Sequence, residues 1–512
     1  MMTRTPYGTT LHKESVKVLL VLLLYSFILM FFLSPDSYLY DLYYHADSSI
    51  FFMCGKAWMC GMMPYVDFAD SKGPLLWFIY GIGYLLSHHS MVGVFWLSIP
   101  FLTVTLYVAY KLCLLFVDRD VAVISTAVLP LFLFWYVLHM EVKSEDFCDP
   151  FVMISLYCMC KILKERDSDR KTYVRLSGVM GVCCMCCMLI KYNVACMVMG
   201  LMAVVFYKAI KHGAGRDSFL AMAVGFVIPA IPFVLCFLIY GNMVAFIQEY
   251  FINTLKTIVY KNGIKIDAWQ IGLIKLVVGT VVVLTAGLTI FCKRYKTGYW
   301  LIPCFLLFVI GLGRPYSRYY YTILMPFFIF LIMAFVDFVL RKLPQLRRYA
   351  VALSILLAVI SICYNTSFID EWEFEESAKD DYYRTSYVMA QVEHPKVLFE
   401  GLEFGTGIPA VTLPGTKYWI NQWGATQQMG IERAEALRAG KYDFYCTGYP
   451  TDEVVKALES YGYVFYCNTP RCRANNEPQH LAVFGRPGLK LPPEDFQVSQ
   501  WDIWLKRNIF GK

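Results

Sequence analysis

The sequence predicts an all-α polytopic membrane protein of about 11 transmembrane helices, with interfacial helices on its outer side and a small C-terminal α/β extracytoplasmic domain. Three observations carry that prediction. The 512 residues are 58% hydrophobic and 17% aromatic, with a mean hydropathy of +0.50. Apolar runs of roughly 16 to 27 residues recur from Val18 to Phe368, close to the length of about 20 that a helix needs to cross a bilayer. Beyond Phe368 the chain turns charged and turn-rich and offers no further span.

The spans read in order at about 18–34, 91–117, 121–138, 147–163, 174–190, 193–210, 218–240, 271–292, 299–313, 318–340 and 349–368. No small-residue cleavage site follows the first run, which reads as a span and not as a secretory leader. Orientation comes from the basic loops. Lys13 and Lys17 precede the first span, and "KILKERDSDRK", "KAIKHGAGR", "CKRYK" and "RKLPQLRR" separate later ones. Lys and Arg collect on the cytoplasmic side, and these loops share that side only if the short run Pro74–Leu86 does not cross. It therefore reads as an interfacial or re-entrant helix on the outer face. Lys256, Lys261 and Lys265 run against the trend, in a loop this topology leaves outside. The net charge of +7 follows from the basic loops and calls for no nucleic acid. The chain is thus expected to be multi-pass in the plasma (inner) membrane. Residues 1–368 form the transmembrane domain, with its first outer loop at 35–90, and residues 369–512 form the extracytoplasmic domain.

In that last region "KVLFEG", "KYWI", "KYDFYC", "YVFYCN" and "HLAVFGR" read as strands, and "IERAEALRAG" and "TDEVVKALESYG" as helices, the latter with Thr451 as its N-cap. Cys467 and Cys472 lie near the C-terminus and could form a disulfide if this region is outside the cytosol. "CCMCC", Cys183 to Cys187, lacks the spaced pairs of a metal knuckle and suits close helix packing instead.

The residues that could carry chemistry gather on the outer side. The first loop threads Asp36, Asp41, Asp47, Asp67 and Asp70 among aromatics. "ADSSIFFMCGKAWMCG" reads as a helix opening at Asp47, where a plain N-cap is the bland alternative. Lys72 stands before Gly73-Pro74, and proline suits a first helical turn. An ammonium beside a helix N-terminus is a seat for an anion such as phosphate, although a snorkelling anchor would look the same. Glu145, Asp146 and Asp149 crowd one span end in "KSEDFCDPF". Ionisable groups at that depth are costly and often functional. Lys191 closes another span, and "GRPYSRYYY" brings Arg314 and Arg318 together with Tyr319 and Tyr320. Acids that can take a hydroxyl proton and cations that can hold a phosphate suggest group transfer from a lipid phosphate.

This pattern resembles the C-type membrane glycosyltransferases, nearest to the protein O-mannosyltransferases and the lipid A aminoarabinose transferases. The resemblance runs from about Lys17 to Phe368 in organisation, and "HADSSIFF…GKAW…GMMPYVDFADSKGPLL" carries it best. It implies a polyprenyl-phosphate-linked sugar donor and a lipid, glycan or protein acceptor on the outer face; direct displacement at the sugar would then invert its configuration. It makes Asp47 the catalytic base and Lys72 the lysine near the donor phosphate. Asp149 is the second acid, with Glu145 and Asp146 as alternatives. Asp47 is followed by Ser48 where many relatives carry glutamate. No metal ligands are assigned, no cofactor is certain, and a divalent metal stays open.

A transporter or flippase of lipid-linked glycans is the competing class. Such proteins build their sites from broken helices near the bilayer midplane and often show internal repeats, neither of which the sequence displays. A topology reporter fused after Lys512 should read as extracytoplasmic. A cytoplasmic signal would reverse the orientation and remove the reason for reading Pro74–Leu86 as a non-spanning helix.

Overall fold

The computed structural model describes residues 7–39, 46–134, 144–164, 169–254, 318–366, 376–400, 404–420, 427–448, 450–469, 472–474, 477–479 and 481–492. The helices run α1 (Tyr7–Leu33), α2 (Ala46–Met59), α3 (Pro74–Leu86), α4 (Val92–Leu114), α5 (Arg119–Leu133), α6 (Ser144–Lys164), α7 (Arg170–Ile190), α8 (Tyr192–Lys211), α9 (Gly215–Val227), α10 (Ile231–Ile239) and α11 (Met243–Phe246). Helix α11 runs on into a π-helical turn, Ile247–Asn253. A 3-10 helix at Arg318–Phe328 then leads into helices Ile329–Lys342 and Ala350–Thr366.

The protein is a multi-pass membrane protein. Among the described residues seven helices are long and apolar enough to cross a bilayer. Helices α5 and α6 coincide with two further expected spans, and those expected at 271–292 and 299–313 lie outside the described residues. Burial sorts the helices into a centre and a rim. The spans Val92–Leu114 and Arg170–Ile190 are mostly buried, whereas Gly215–Ile239 and Pro344–Asn365 turn Leu, Ile, Val and Phe outward. Such faces need lipid around them, since in water they would leave large apolar surface exposed.

Helix α3 has 13 residues, about 20 Å at 1.5 Å per residue, and cannot reach across a hydrocarbon core of about 30 Å. Gly73 caps it in an extended conformation and Pro74 opens its first turn, where a missing N–H costs nothing. Helix α2 lies against it at backbone distance. A Cβ added to Gly55 would stand 2.4 Å from the Gly81 nitrogen, so small residues set this contact.

The C-terminal region forms a mixed sheet of order β2-β1-β3-β7-β4. Its strands are β1 (Lys396–Glu400), β2 (Leu413–Pro414), β3 (Phe444–Thr447), β4 (Val464–Asn468) and β7 (Ala482–Gly485), and β5 (Cys472–Ala474) pairs separately with β6 (Glu477–Gln479). Strand β1 is parallel to β2 and β3, and β7 is antiparallel to β3 and β4. The expected helices are present at Gln427–Arg438 and Asp452–Ser460, and Thr451 Oγ1 accepts the Val454 N–H at 3.4 Å. Two expectations are corrected. "KYWI" makes one bridge, Ile420 to Phe399, and no strand, because the Lys417 carbonyl is taken by the Ala69 N–H at 3.0 Å. Cys467 is a free thiol 3.7 Å from Thr385 Oγ1 and makes no bridge.

The sheet and the loop after α1 share one core. Met53, Tyr65, Phe68 and Trp77 pack in the same cluster as Val397, Phe399, Trp419 and Phe444. Beside it Lys56 is fully buried, its Nζ has no hydrogen-bond partner, and Phe52 lies 5.9 Å away. Burial lowers its pKa to about 7. The unfolded chain keeps that proton to about pH 10.4, so between these values the unfolded state binds more protons and stability rises with pH. Lys56→Met should stabilise the protein at pH 7 by on the order of 3 kcal/mol and flatten that rise. Thermal unfolding in detergent at pH 7 and pH 9 tests both, and equal pH slopes for the two proteins would refute the assignment.

Candidate active site

The site is built where α3 begins and α7 ends. The Gly73 N–H donates to the Ile190 carbonyl at 3.1 Å, and a Cβ on Gly73 would fall 2.1 Å from the Leu189 oxygen. Only glycine permits this approach, and it sets Lys72 beside Lys191. Lys191 adopts an extended backbone between α7 and α8, which ends one helix and starts the next. Both lysines are buried. The Lys72 ammonium lies 5.0 Å over the Phe51 ring, within the range of a cation–π contact. Its carbonyl accepts the Tyr65 hydroxyl at 3.0 Å.

Lys191 pairs with Glu145 through Oε1, and Oε2 of that carboxylate accepts the Ser144 hydroxyl at 2.7 Å. Burial is the largest influence on Lys191 and lowers its pKa. Glu145 and Asp47 oppose that shift, and the Lys72 charge adds to it. Asp47, in the first turn of α2, Lys72 and Glu145 thus each lie within electrostatic reach of Lys191.

The neighbouring acids face elsewhere. Asp146 and Asp149 line a cavity of about 20 Å³ with Met30, Ser98, Thr105 and Phe134, room for about one water. Asp149 Oδ1 is buried there without a hydrogen-bond partner. The two hydroxyls on that wall are committed to their own helix, Ser98 to the Phe95 carbonyl at 2.7 Å and Thr105 to that of Phe101 at 2.9 Å. Arg314 lies outside the described residues. Arg318, Tyr319 and Tyr320 open the 3-10 helix packed against α6, and their side chains also lie outside what is described. Among the described residues no three His, Cys, Asp or Glu side chains gather as metal ligands.

Sequence reasoning missed three groups here. Tyr65 sits at φ 67°, an outlier for a bulky residue. Tyr250, on the π-helical turn, donates to the Met188 carbonyl at 2.5 Å. Glu249 beside it pairs with Lys417 and accepts from Tyr418 at 3.2 Å and Asn253 at 2.9 Å. Nothing in the sequence after the expected span 218–240 marks a π turn.

The chain resembles known proteins in part of its sequence and in its fold. The sequence model of the dolichyl-phosphate-mannose-protein mannosyltransferase family matches residues 71–240. ArnT from Cupriavidus metallidurans in the apo state superposes with a TM-score of 0.51 at 13% identity, over 93% of this chain and 98% of its own. The same protein bound to undecaprenyl phosphate gives 0.50 at 14%, over 96% and 100%. An oligosaccharyltransferase of Archaeoglobus fulgidus gives 0.45 at 11%, over 85% and 69%. No curated protein matches. The resemblance to the C-type membrane glycosyltransferases is borne out, by the family match over part of the chain and by the fold over nearly all of it.

The buried ion pair sets a test of this geometry. Glu145→Ala strands a buried ammonium and should cost roughly 3 kcal/mol, whereas Glu145→Ala with Lys191→Met should recover most of the loss. Thermal unfolding of both variants measures it, and an unrecovered double variant would mean that the pair is not closed as described.

Proposed function

We propose that the protein is an integral-membrane glycosyltransferase that moves a sugar from a polyprenyl-phosphate donor to a lipid, glycan or protein acceptor. The reaction takes place on the outer face of the plasma (inner) membrane. One observation carries the proposal: the Gly73–Ile190 hydrogen bond joins the backbones of two buried lysines, with Asp47 within electrostatic reach of Lys191, at the start of a helix too short to span. Ammoniums beside a helix N-terminus favour an anion, and a lipid monophosphate at headgroup depth is the anion this reading assigns to them. ArnT's complex with undecaprenyl phosphate, on the same fold, supports that ligand class.

The chemistry follows from these groups. Asp47, half-buried in the first turn of α2, accepts the proton of an acceptor hydroxyl. The hydroxyl oxygen attacks the anomeric carbon, and the bond from that carbon to the phosphate oxygen breaks with inversion. The leaving phosphate keeps the electron pair and is stabilised by Lys72 and Lys191. Arg314 or Arg318 adds to that stabilisation. Among the acids of α6, Asp149 suits the second role best. Its free oxygen faces a cavity, while Glu145 is committed to Lys191. Residues 369–512 lie outside the membrane in this reading and dock over the site.

Asp47→Asn keeps shape and removes the base, so sugar transfer should fall by about 10²-fold or more with donor binding retained. Lys72→Ala should weaken donor binding and turnover together, and Lys72→Arg should restore only part. Mass spectrometry of glycolipids from cells with and without the gene identifies the donor. Transfer by each variant in nanodiscs then decides, and near-normal turnover by Asp47→Asn would refute the mechanism.

A further inference from the structure

We propose that Tyr65 and Tyr250 are positioning residues that hold the two lysines in one register, acting through backbone carbonyls and not through the ligand. This inference rests on the phosphate-seat reading above. Three observations place them in that role. The two fully buried hydroxyls bracket the Lys72–Lys191 junction: Tyr65 donates to the carbonyl of Lys72 itself at 3.0 Å, and Tyr250 to the carbonyl of Met188, in the last turn before Lys191, at 2.5 Å. Their rings meet each other with centroids 6.3 Å apart, and the Tyr250 hydroxyl would stand 3.0 Å from a Cβ on Gly73. The pair therefore spans the same gap as the Gly73–Ile190 hydrogen bond, one residue from each ammonium.

Both tyrosines occupy backbone conformations that proteins seldom use without a return. Tyr65 has φ 67°, in the left-handed region where a bulky side chain is strained. Its N–H bonds to the Phe68 carbonyl at 2.7 Å, which closes the turn that delivers Asp70, Lys72 and Gly73. Tyr250 sits on a π-helical turn, a rare geometry often found at functional sites. That turn is pinned by Glu249, whose carboxylate takes Lys417, Tyr418 and Asn253. A tyrosine whose only duty was to fill the core would need neither conformation, since phenylalanine fills the same volume without a hydroxyl to satisfy.

The test is binding of a polyprenyl monophosphate to the full-length protein in nanodiscs. Tyr250→Phe and Tyr65→Phe each remove one hydroxyl and should weaken binding about three- to tenfold, the worth of one buried hydrogen bond expressed in affinity. Lys72→Ala should weaken it further. In a Lys72→Ala background, Tyr65→Phe should cost little more, because its effect passes through that lysine. Tyr463→Phe is the control. It loses a comparable buried bond, to the Tyr442 carbonyl at 2.7 Å, and should leave phosphate binding unchanged. Wild-type affinity in both phenylalanine variants, alongside loss in Lys72→Ala, overturns the positioning role and spares the phosphate seat. Undiminished binding by Lys72→Ala overturns the seat and this inference with it. An equal loss for Tyr65→Phe with and without Lys72 marks a merely structural effect and also overturns it. If one phenylalanine variant fails to fold, the other carries the same comparison alone.

Discussion

Much of this molecule depends on the approach of Gly73 to the end of α7. One N–H to carbonyl bond at 3.1 Å joins the start of a helix that does not span to the end of one that does. The distance leaves no room for a side chain, so the identity of residue 73 and the position of two lysines are one constraint. Net, such a bond contributes about 1 kcal/mol. Its importance lies in register: it fixes which residue of the first loop faces which residue of α7. Because α2 is laid on α3 at the Gly55–Gly81 contact, Asp47 is fixed relative to the same point.

Charge burial is the second constraint, and it makes the site a source of specificity more than of stability. Glu145 and Lys191 are nearly removed from solvent. In such a place the desolvation penalty roughly cancels the attraction, while loss of one partner is severe. The pair therefore cannot tolerate a shift of α6 against α7. That also explains why adjacent acids on one helix separate in role. Glu145 is drawn to a lysine across the α6–α7 interface, and Asp149, four residues on, faces α1 and α4, where no cation meets it among the described residues.

These physical differences decide what a sequence can show. Spans, the short helix after Gly73-Pro74, and the helix opening at Asp47 were legible because each rests on local pattern: run length, proline at the first turn, helical spacing of apolar residues. Lys72 was legible as a charge before a helix N-terminus, and Lys191 as one at a span end. The division of labour among Glu145, Asp146 and Asp149 was not, because it depends on which helix packs on which face. Tyr65 was illegible for another reason. Nothing in "PYVDF" announces a positive φ at a tyrosine, since turn chemistry ordinarily signals it with Gly, Asn or Asp. "KYWI" misled because its alternation is real, yet its hydrogen bonds go partly to the loop at Ala69 and not wholly to a neighbouring strand.

The C-terminal sheet acquires its significance from the same geometry. Composition suggests a separate appendage, but the core beneath β1 and β3 is continuous with Tyr65, Phe68 and Trp77. The Ala69–Lys417 hydrogen bond and the Lys417–Glu249 pair tie the sheet's margin to the loop and to the π turn. A displacement of the sheet is therefore felt at Glu249 and then at Tyr250, the next residue, whose hydroxyl holds the last turn of α7. The Glu249 carboxylate and the Tyr250 hydroxyl in that chain are buried, where an unmade bond costs more than a made one returns. The sheet thus completes the set of contacts that hold the end of α7 and the start of α3 together, and with them the backbones of Lys72 and Lys191.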